Sequence, residues 1–371
     1  MRLINQKLLS VQTSIFLGTL ASLTCGVSGA NAALLVGNTE GNNVVIFDER
    51  TGRFGGEFIA AGTGGLTSPD DLTYGPDGNL YVSSGTETSG AILKFDGKTG
   101  DFLGRFDQGG VLLRPYGNAF GPDGNLYVSS FRSDEILRFD GTTGKFLDVF
   151  AFGAGTANGL NGPNDLLFDE DGNLYVTTQG SVSDGKGGIE FLFESQVLRY
   201  NIFAAAPEPD VFVPQPTPSP DSFGFVSFLG LEFGADGDLF VSDFANDIRR
   251  YDLLTGSLVD TLSTNYTGTT PSNNFVGGLT FDPSGTLYSV GFDFTKGNQG
   301  AILRFDGETG DPLPGTGETG PIFVSTNPNL KRPIGITYSP IVVPEPALTL
   351  GLVAMGAMFM GRKRGDRHQS N

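Results

Sequence analysis

Short apolar runs, each closed by a polar turn that carries a glycine, recur along most of this chain. The stretch GPDGNLYVSS stands at Gly75–Ser84 and again, unchanged, at Gly121–Ser130. Pro76 presets φ, Asp77 tolerates the bridge region and Gly78 accepts a left-handed conformation, so a tight turn between two strands is predicted there. The Leu80-Tyr81-Val82 run that follows is apolar on both faces, the pattern of a strand covered on each side. The turn returns at Asp123-Gly124, Asp171-Gly172, Asp236-Gly237 and Ser284-Gly285, with separations of 46, 48, 65 and 48 residues. Such a period is that of a propeller blade. A second signature follows each turn but the third: AILKFDGKTG from Ala91, EILRFDGTTG from Glu135, DIRRYDLLTG from Asp247 and AILRFDGETG from Ala301. Each is a strand ending in a glycine turn, so every unit reads as four short antiparallel strands.

The two ends of the repeat region complete one another. Arg332-Pro333-Ile334-Gly335-Ile336-Thr337-Tyr338 matches the strand that precedes the turn elsewhere, but no partner strand follows it. Leu34-Leu35-Val36, Asn43–Asp48 and the Thr51-Gly52 turn supply the later strands of a blade whose first strand is missing. The prediction is an all-β fold, a six-bladed β-propeller closed by pairing its N- and C-terminal strands, which leaves no sheet edge open at the seam. The proline, glycine and LYV pattern resembles the NHL-repeat propellers and their gluconolactonase-like and virginiamycin B lyase-like relatives over residues 33–340. Val241–Asp252 is similar to the second half of an NHL repeat. The resemblance implies the fold; enzymes, scaffolds and receptors all use it.

The termini read as addresses. Residues 1–32 carry Arg2 and Lys7, an apolar run from Ile15 to Leu23 and a small-residue site at Ala30-Asn31-Ala32, as an export signal does. Cleavage there makes Ala33 the first mature residue and discards Cys25, the single cysteine, which excludes disulfides and thiol chemistry; a lipoprotein anchor at Cys25 is the other reading, to which Ser22-Leu23-Thr24 is a poor match. In residues 341–371, Pro344, Glu345 and Pro346 precede an apolar run, Ala347–Met360, and then a basic cluster with Arg362, Lys363 and Arg364. The three parts together resemble a PEP-CTERM sorting signal. The resemblance implies transient membrane insertion, cleavage by an exosortase-type enzyme and release to the cell surface or an extracellular polysaccharide matrix; a plain membrane anchor is the other reading. Setting aside the six basic and two acidic residues of the two ends leaves 17 basic against 39 acidic. A body so acidic repels nucleic acid and anionic membranes.

Propellers bind ligands at one mouth of the central channel. In the gluconolactonase-like relatives, the position after the inner-strand proline carries ligands for a divalent metal such as Ca2+. Here that position holds Asp70, Tyr116, Asn164, Leu229, Gly277 and Ile334, so the resemblance offers only Asp70 and Asn164 as metal ligands. Neighbouring Asp71, Asn118, Asp165 and Asn161 are further candidates. Asp71 and Asp165 fill a slot that other blades give to glycine, which suggests aspartates bonded to their own backbone in a turn. Arg114 and Arg332, each before a proline, are placed to crown the mouth and take a carboxylate or sugar acid. The single histidine, His368, lies in the removable tail, which excludes a Ser-His-Asp triad and histidine proton transfer. Asp169–Asn173 lacks the distal glutamate of a calcium loop and reads as a hairpin turn. One stretched unit, 179–228, contains a proline-rich excursion, 206–220, expected at the surface and outside any central strand. The function expected is an exported, non-catalytic binding module for a surface protein or polysaccharide. The alternative is a metal-dependent lactone or ester hydrolase using Asp70 and Asn164 with Asp165 as a helper.

Overall fold

The computed structural model of the chain describes residues 32–341, except 110, 154, 187 and 206, together with residue 343. The export leader with Cys25, the Pro344-Glu345-Pro346 motif, the basic cluster and His368 lie outside the described residues.

Six four-stranded antiparallel sheets form the blades of a propeller. Blade 1 combines residues 33–59 with the C-terminal strand Pro333–Ser339; blades 2 to 6 follow in order as 72–105, 115–152, 163–213, 228–262 and 274–331. The seam is the predicted one, with Leu35 opposite Thr337 and Val36 opposite Ile336. The inner strands around the axis are Leu72–Tyr74, Pro115–Phe120, Pro163–Phe168, Phe228–Phe233, Asn274–Phe281 and Pro333–Ser339.

The apolar core is divided into wedges between neighbouring blades. Alternation sends Leu35 and Ile46 toward Leu80, Val82 and Phe95 of blade 2, while Leu34 and Val36 pack on Tyr288 and Ile302 of blade 6. A strand between two wedges must be apolar on both faces, and Leu80, Tyr81 and Val82 are accordingly no more than 1% exposed.

The repeated turn explains its own sequence. Gly78 takes φ 76°, and the Asp77 carboxylate accepts from the Asn79 amides, the Tyr81 hydroxyl and Lys94. In blade 4 the same capping falls to Asp169, whose carboxylate accepts from the Asp171 and Asn173 backbone amides and the Tyr175 hydroxyl. It caps a hairpin turn, as expected.

The stretched unit departs from expectation in detail. Asp210–Val213, inside the proline-rich excursion, pairs with Val197–Asn201 as the outermost strand of blade 4. Prolines at 207, 209 and 214 flank this edge strand, where a missing backbone N–H on the outer side costs nothing. The remaining extra length builds a small hairpin, Ser181–Ser183 with Ile189–Phe191, and the loop 214–227.

Candidate functional site

Register slips place the site. Each inner strand from blade 3 to blade 6 breaks its ladder near its start: between Pro115 and Asn118, Pro163 and Leu166, Phe228 and Leu231, and Val276 and Leu279. Blade 1 does the same opposite Val36–Asn38, between Pro333 and Ile336. A bulge frees two consecutive residues from the ladder and re-aims them. Here it turns them toward the axis, so Tyr116, Asn164, Leu229 and Ile334, with Gly117, Asp165, Gly230 and Gly335, line a narrow channel of about 40 Å3, joined by Asp70 and Asp71 from just before the inner strand of blade 2.

The freed backbone groups are satisfied from the next strand outward. The Gly117 amide donates to Ser129 Oγ at 2.9 Å, and that hydroxyl donates to the Asn164 carbonyl of the following blade at 2.5 Å. Thr177 repeats the link between Asp165 and the Leu229 carbonyl. Glycine in the second bulge position permits contact between blades: a Cβ on Gly117 would stand 2.6 Å from the Asn164 carbonyl oxygen, and one on Gly335 2.6 Å from that of Asp70. The slot is thus set by close approach between strands, which corrects the turn requirement read from the sequence. Asp71 and Asp165 do bond their own backbone, at the Leu72 and Leu166 amides. They also cross to the next inner strand, at the Asn118 and Leu231 amides, both at 2.8 Å.

Above the channel the mouth widens into a cavity of about 770 Å3. Its floor holds Asp70, Glu87, Arg114, Tyr116, Arg132 and Arg332. Arg114 pairs with Glu87 and donates to the Tyr116 hydroxyl at 2.9 Å; Arg132 reaches the other Glu87 oxygen at 2.8 Å. Arg332 lies over the Phe292 ring at 5.6 Å, and among the described residues its guanidinium has no hydrogen bond or ion pair. Burial pushes the Asp70 carboxyl up to about 7, against the pull of Arg114 and Arg332 and with the push of Asp71 and Glu87. Its Oδ2 is buried without a hydrogen-bond partner among the described residues. Burial also raises Tyr116, to about 12, so its hydroxyl keeps its proton.

One wall is aromatic and comes from the blade 4 extensions: Ile189, Phe191 and Phe193 from the hairpin side, and Phe225 and Val226 from the loop. Of the excursion 206–220, only Gln215 reaches the cavity. The stretched unit therefore does cover the mouth, through the segments on either side of the prolines.

The sequence-derived candidates separate into three groups. Asp70, Arg114 and Arg332 meet at the mouth. Asn164, Asp71 and Asp165 line the channel below it. Asn118 is buried, its amide nitrogen donating to Asp71 and Ser83, and Asn161 fastens the loop 155–159; neither lines the channel or the mouth. Glu87, Arg132 and the aromatic wall were not singled out. The wall's sequence signal is the phenylalanine-rich text around 188–195 and 222–228; Glu87 and Arg132 stand at no distinctive repeat position.

A divalent metal does not fit these residues. The Asn164 amide nitrogen donates to the Phe228 carbonyl at 2.5 Å and its oxygen accepts from Gln179 at 3.1 Å. Among the described residues no three His, Cys, Asp or Glu side chains stand together as ligands, and oxygen-ligated Ca2+ takes about six to eight oxygens.

No family model and no curated protein matches the sequence. Solved structures share the fold. A protein of unknown function from Bacteroides caccae superposes with a TM-score of 0.55 at 15% identity, over 83% of this chain and 99% of that one. A chain of a nidogen/laminin complex gives 0.54 at 13%, over 83% and 98%. A streptogramin B lyase gives 0.49 at 16%, over 83% and 87%. At such identities the likeness is one of architecture.

Proposed function

We propose that this chain is an exported, non-catalytic binding module that holds a compact organic ligand at the mouth of its channel. The observation that carries this reading is the cavity of about 770 Å3, with an aromatic wall on one side and a charged floor on the other. Concave sites of this size and mixed lining hold small ligands. The channel beneath, about 40 Å3, is too narrow to pass such a ligand, which favours holding over transit. Metal-dependent lactone or ester hydrolysis is disfavoured because Asn164, half of its ligand pair, is spent on internal hydrogen bonds.

Delivery belongs to the same proposal. The leader before Ala33 and the tail Pro344-Glu345-Pro346, apolar run and basic cluster support export, exosortase-type trimming and a place at the cell surface or in its polysaccharide matrix.

Two measurements test this reading. The mature chain is stripped with chelator and titrated with Ca2+ during thermal unfolding; the midpoint stays unmoved and lactones are not turned over. A rise that vanishes in Asp70→Ala, with saturable lactone turnover, makes the protein a hydrolase instead. The intact mass of protein recovered from the cell surface corresponds to a start at Ala33 and loss of the tail; retention of 344–371 means an anchor.

A further inference from the structure

The molecule is acidic, with a formal net charge of −18, yet the floor of its mouth gathers three arginines around two carboxyls. Glu87 is shared between Arg114 and Arg132. That leaves Arg332, held over the Phe292 ring and within electrostatic reach of the buried Asp70. A guanidinium in a partly enclosed, apolar-walled cavity attracts an anion far more strongly than one in open water.

The backbone under these arginines is a feature of the repeat. Arg114 and Arg332 take φ 50° and 48°, Ser68 of blade 2 takes 42°, and each precedes a proline. The same place in blade 4 is Gly162, at φ 65°, which adopts that conformation without steric cost. Of the side chains carried there, those of Arg114 and Arg332 line the mouth.

Resting on the mouth being the ligand site, we propose that its ligand is an organic anion, a carboxylate or sulfonate on an aromatic or extended apolar body. The anion sits on Arg332, and the body lies against the wall of Phe191, Phe193 and Phe225. Tyr116, whose hydroxyl accepts from Arg114, presents its own proton to the same anion.

A matched pair of fluorescent probes tests this. 1-Anilinonaphthalene-8-sulfonate and N-phenyl-1-naphthylamine share one apolar body and differ by the sulfonate. They are titrated into the mature wild-type chain, Arg332→Gln, Arg332→Gly and the double variant Phe191→Ser/Phe225→Ser. Arg332→Gly relieves the left-handed backbone, so its folding is secure. The expected result is one saturable site at which the sulfonate binds about tenfold or more tighter than the neutral probe. Both Arg332 variants abolish that preference without weakening the neutral probe, and the double phenylalanine variant weakens both. Equal affinity for the two probes, or a preference that survives in both Arg332 variants, overturns the anion assignment. If the phenylalanine variant still weakens both probes, the mouth remains the ligand site; if neither probe responds to it, the mouth reading itself falls.

Discussion

At the scale of single residues, the mouth depends on Asp70. Its carboxyl, pushed up to about 7 by burial, is faced by Arg114, Arg332, Asp71, Glu87 and Tyr116. Above that pH it is an anion beside the proposed anion site; below it is neutral and can donate. The sulfonate probe carries its charge throughout, so its affinity rises as the pH falls from about 8 to about 6, by roughly threefold to tenfold for one charge removed nearby. Asp70→Asn binds tightly at both ends of that range. Fluorescence titration across the range checks this, and an unchanged pH dependence in Asp70→Asn assigns the effect to another group.

At the scale of the strand, the bulge and the hydroxyl beside it form one device. The bulge carries Tyr116 and Gly117 out of the ladder, and Ser129 satisfies the Gly117 amide while tying the Asn164 carbonyl of the next blade. Ser129→Ala leaves buried backbone groups unpaired and costs about 1–3 kcal/mol, read from urea unfolding. Ser129→Thr keeps the hydroxyl, as blade 4 does natively with Thr177, and stays close to wild type. A Ser129→Ala chain as stable as wild type shows that the link adds nothing net. The repeated LYVSS text announced these serines, but not their partners. A hydroxyl two residues after the tyrosine reads equally as solvent-facing or as a bridge until the neighbouring blade is in place.

Across the whole molecule, ring closure buries acid groups on or beside the inner strands. Asp71 and Asp165 are raised above the usual carboxylate range, chiefly by burial, as is Glu232, which reaches about 7 and is pushed further by Asp71. With Asp70 they make four carboxyls whose folded values exceed their unfolded ones. The stabilisation they contribute is full below about pH 4 and is lost as the pH rises to about 7, on the order of a few kcal/mol for the set. Turn aspartates such as Asp77, lowered to about 2 mainly by the hydrogen bonds it accepts from Lys94 and Asn79, act the other way and only below pH 4. The melting midpoint therefore falls between about pH 5 and pH 8, and Glu232→Gln reduces the fall. A midpoint that is flat or rising over this interval shows that the channel carboxyls ionise without cost.

The sequence by itself determined the blade. Its turns are local chemistry, with aspartate, glycine and tyrosine at fixed offsets, and strands apolar on both faces require a neighbour on each side. The repeat period fixed the number of blades, and the complementary ends, Leu34–Val36 and Arg332–Tyr338, fixed the closure. Asp70, Arg114 and Arg332 were legible as mouth residues because each stands at a fixed offset from the inner-strand proline or beside it. The tertiary structure alone decided which of them remain available. Asn164 and Asp70 share a repeat position, but Asn164 bonds to Phe228 and Gln179 while the Asp70 Oδ2 has no hydrogen-bond partner among the described residues. It also decided that the phenylalanines of the stretched unit fold over the mouth while its prolines hold an edge strand. Repeat position follows from spacing along the chain; the partners of a side chain on the axis come from other blades, brought together only when the ring closes.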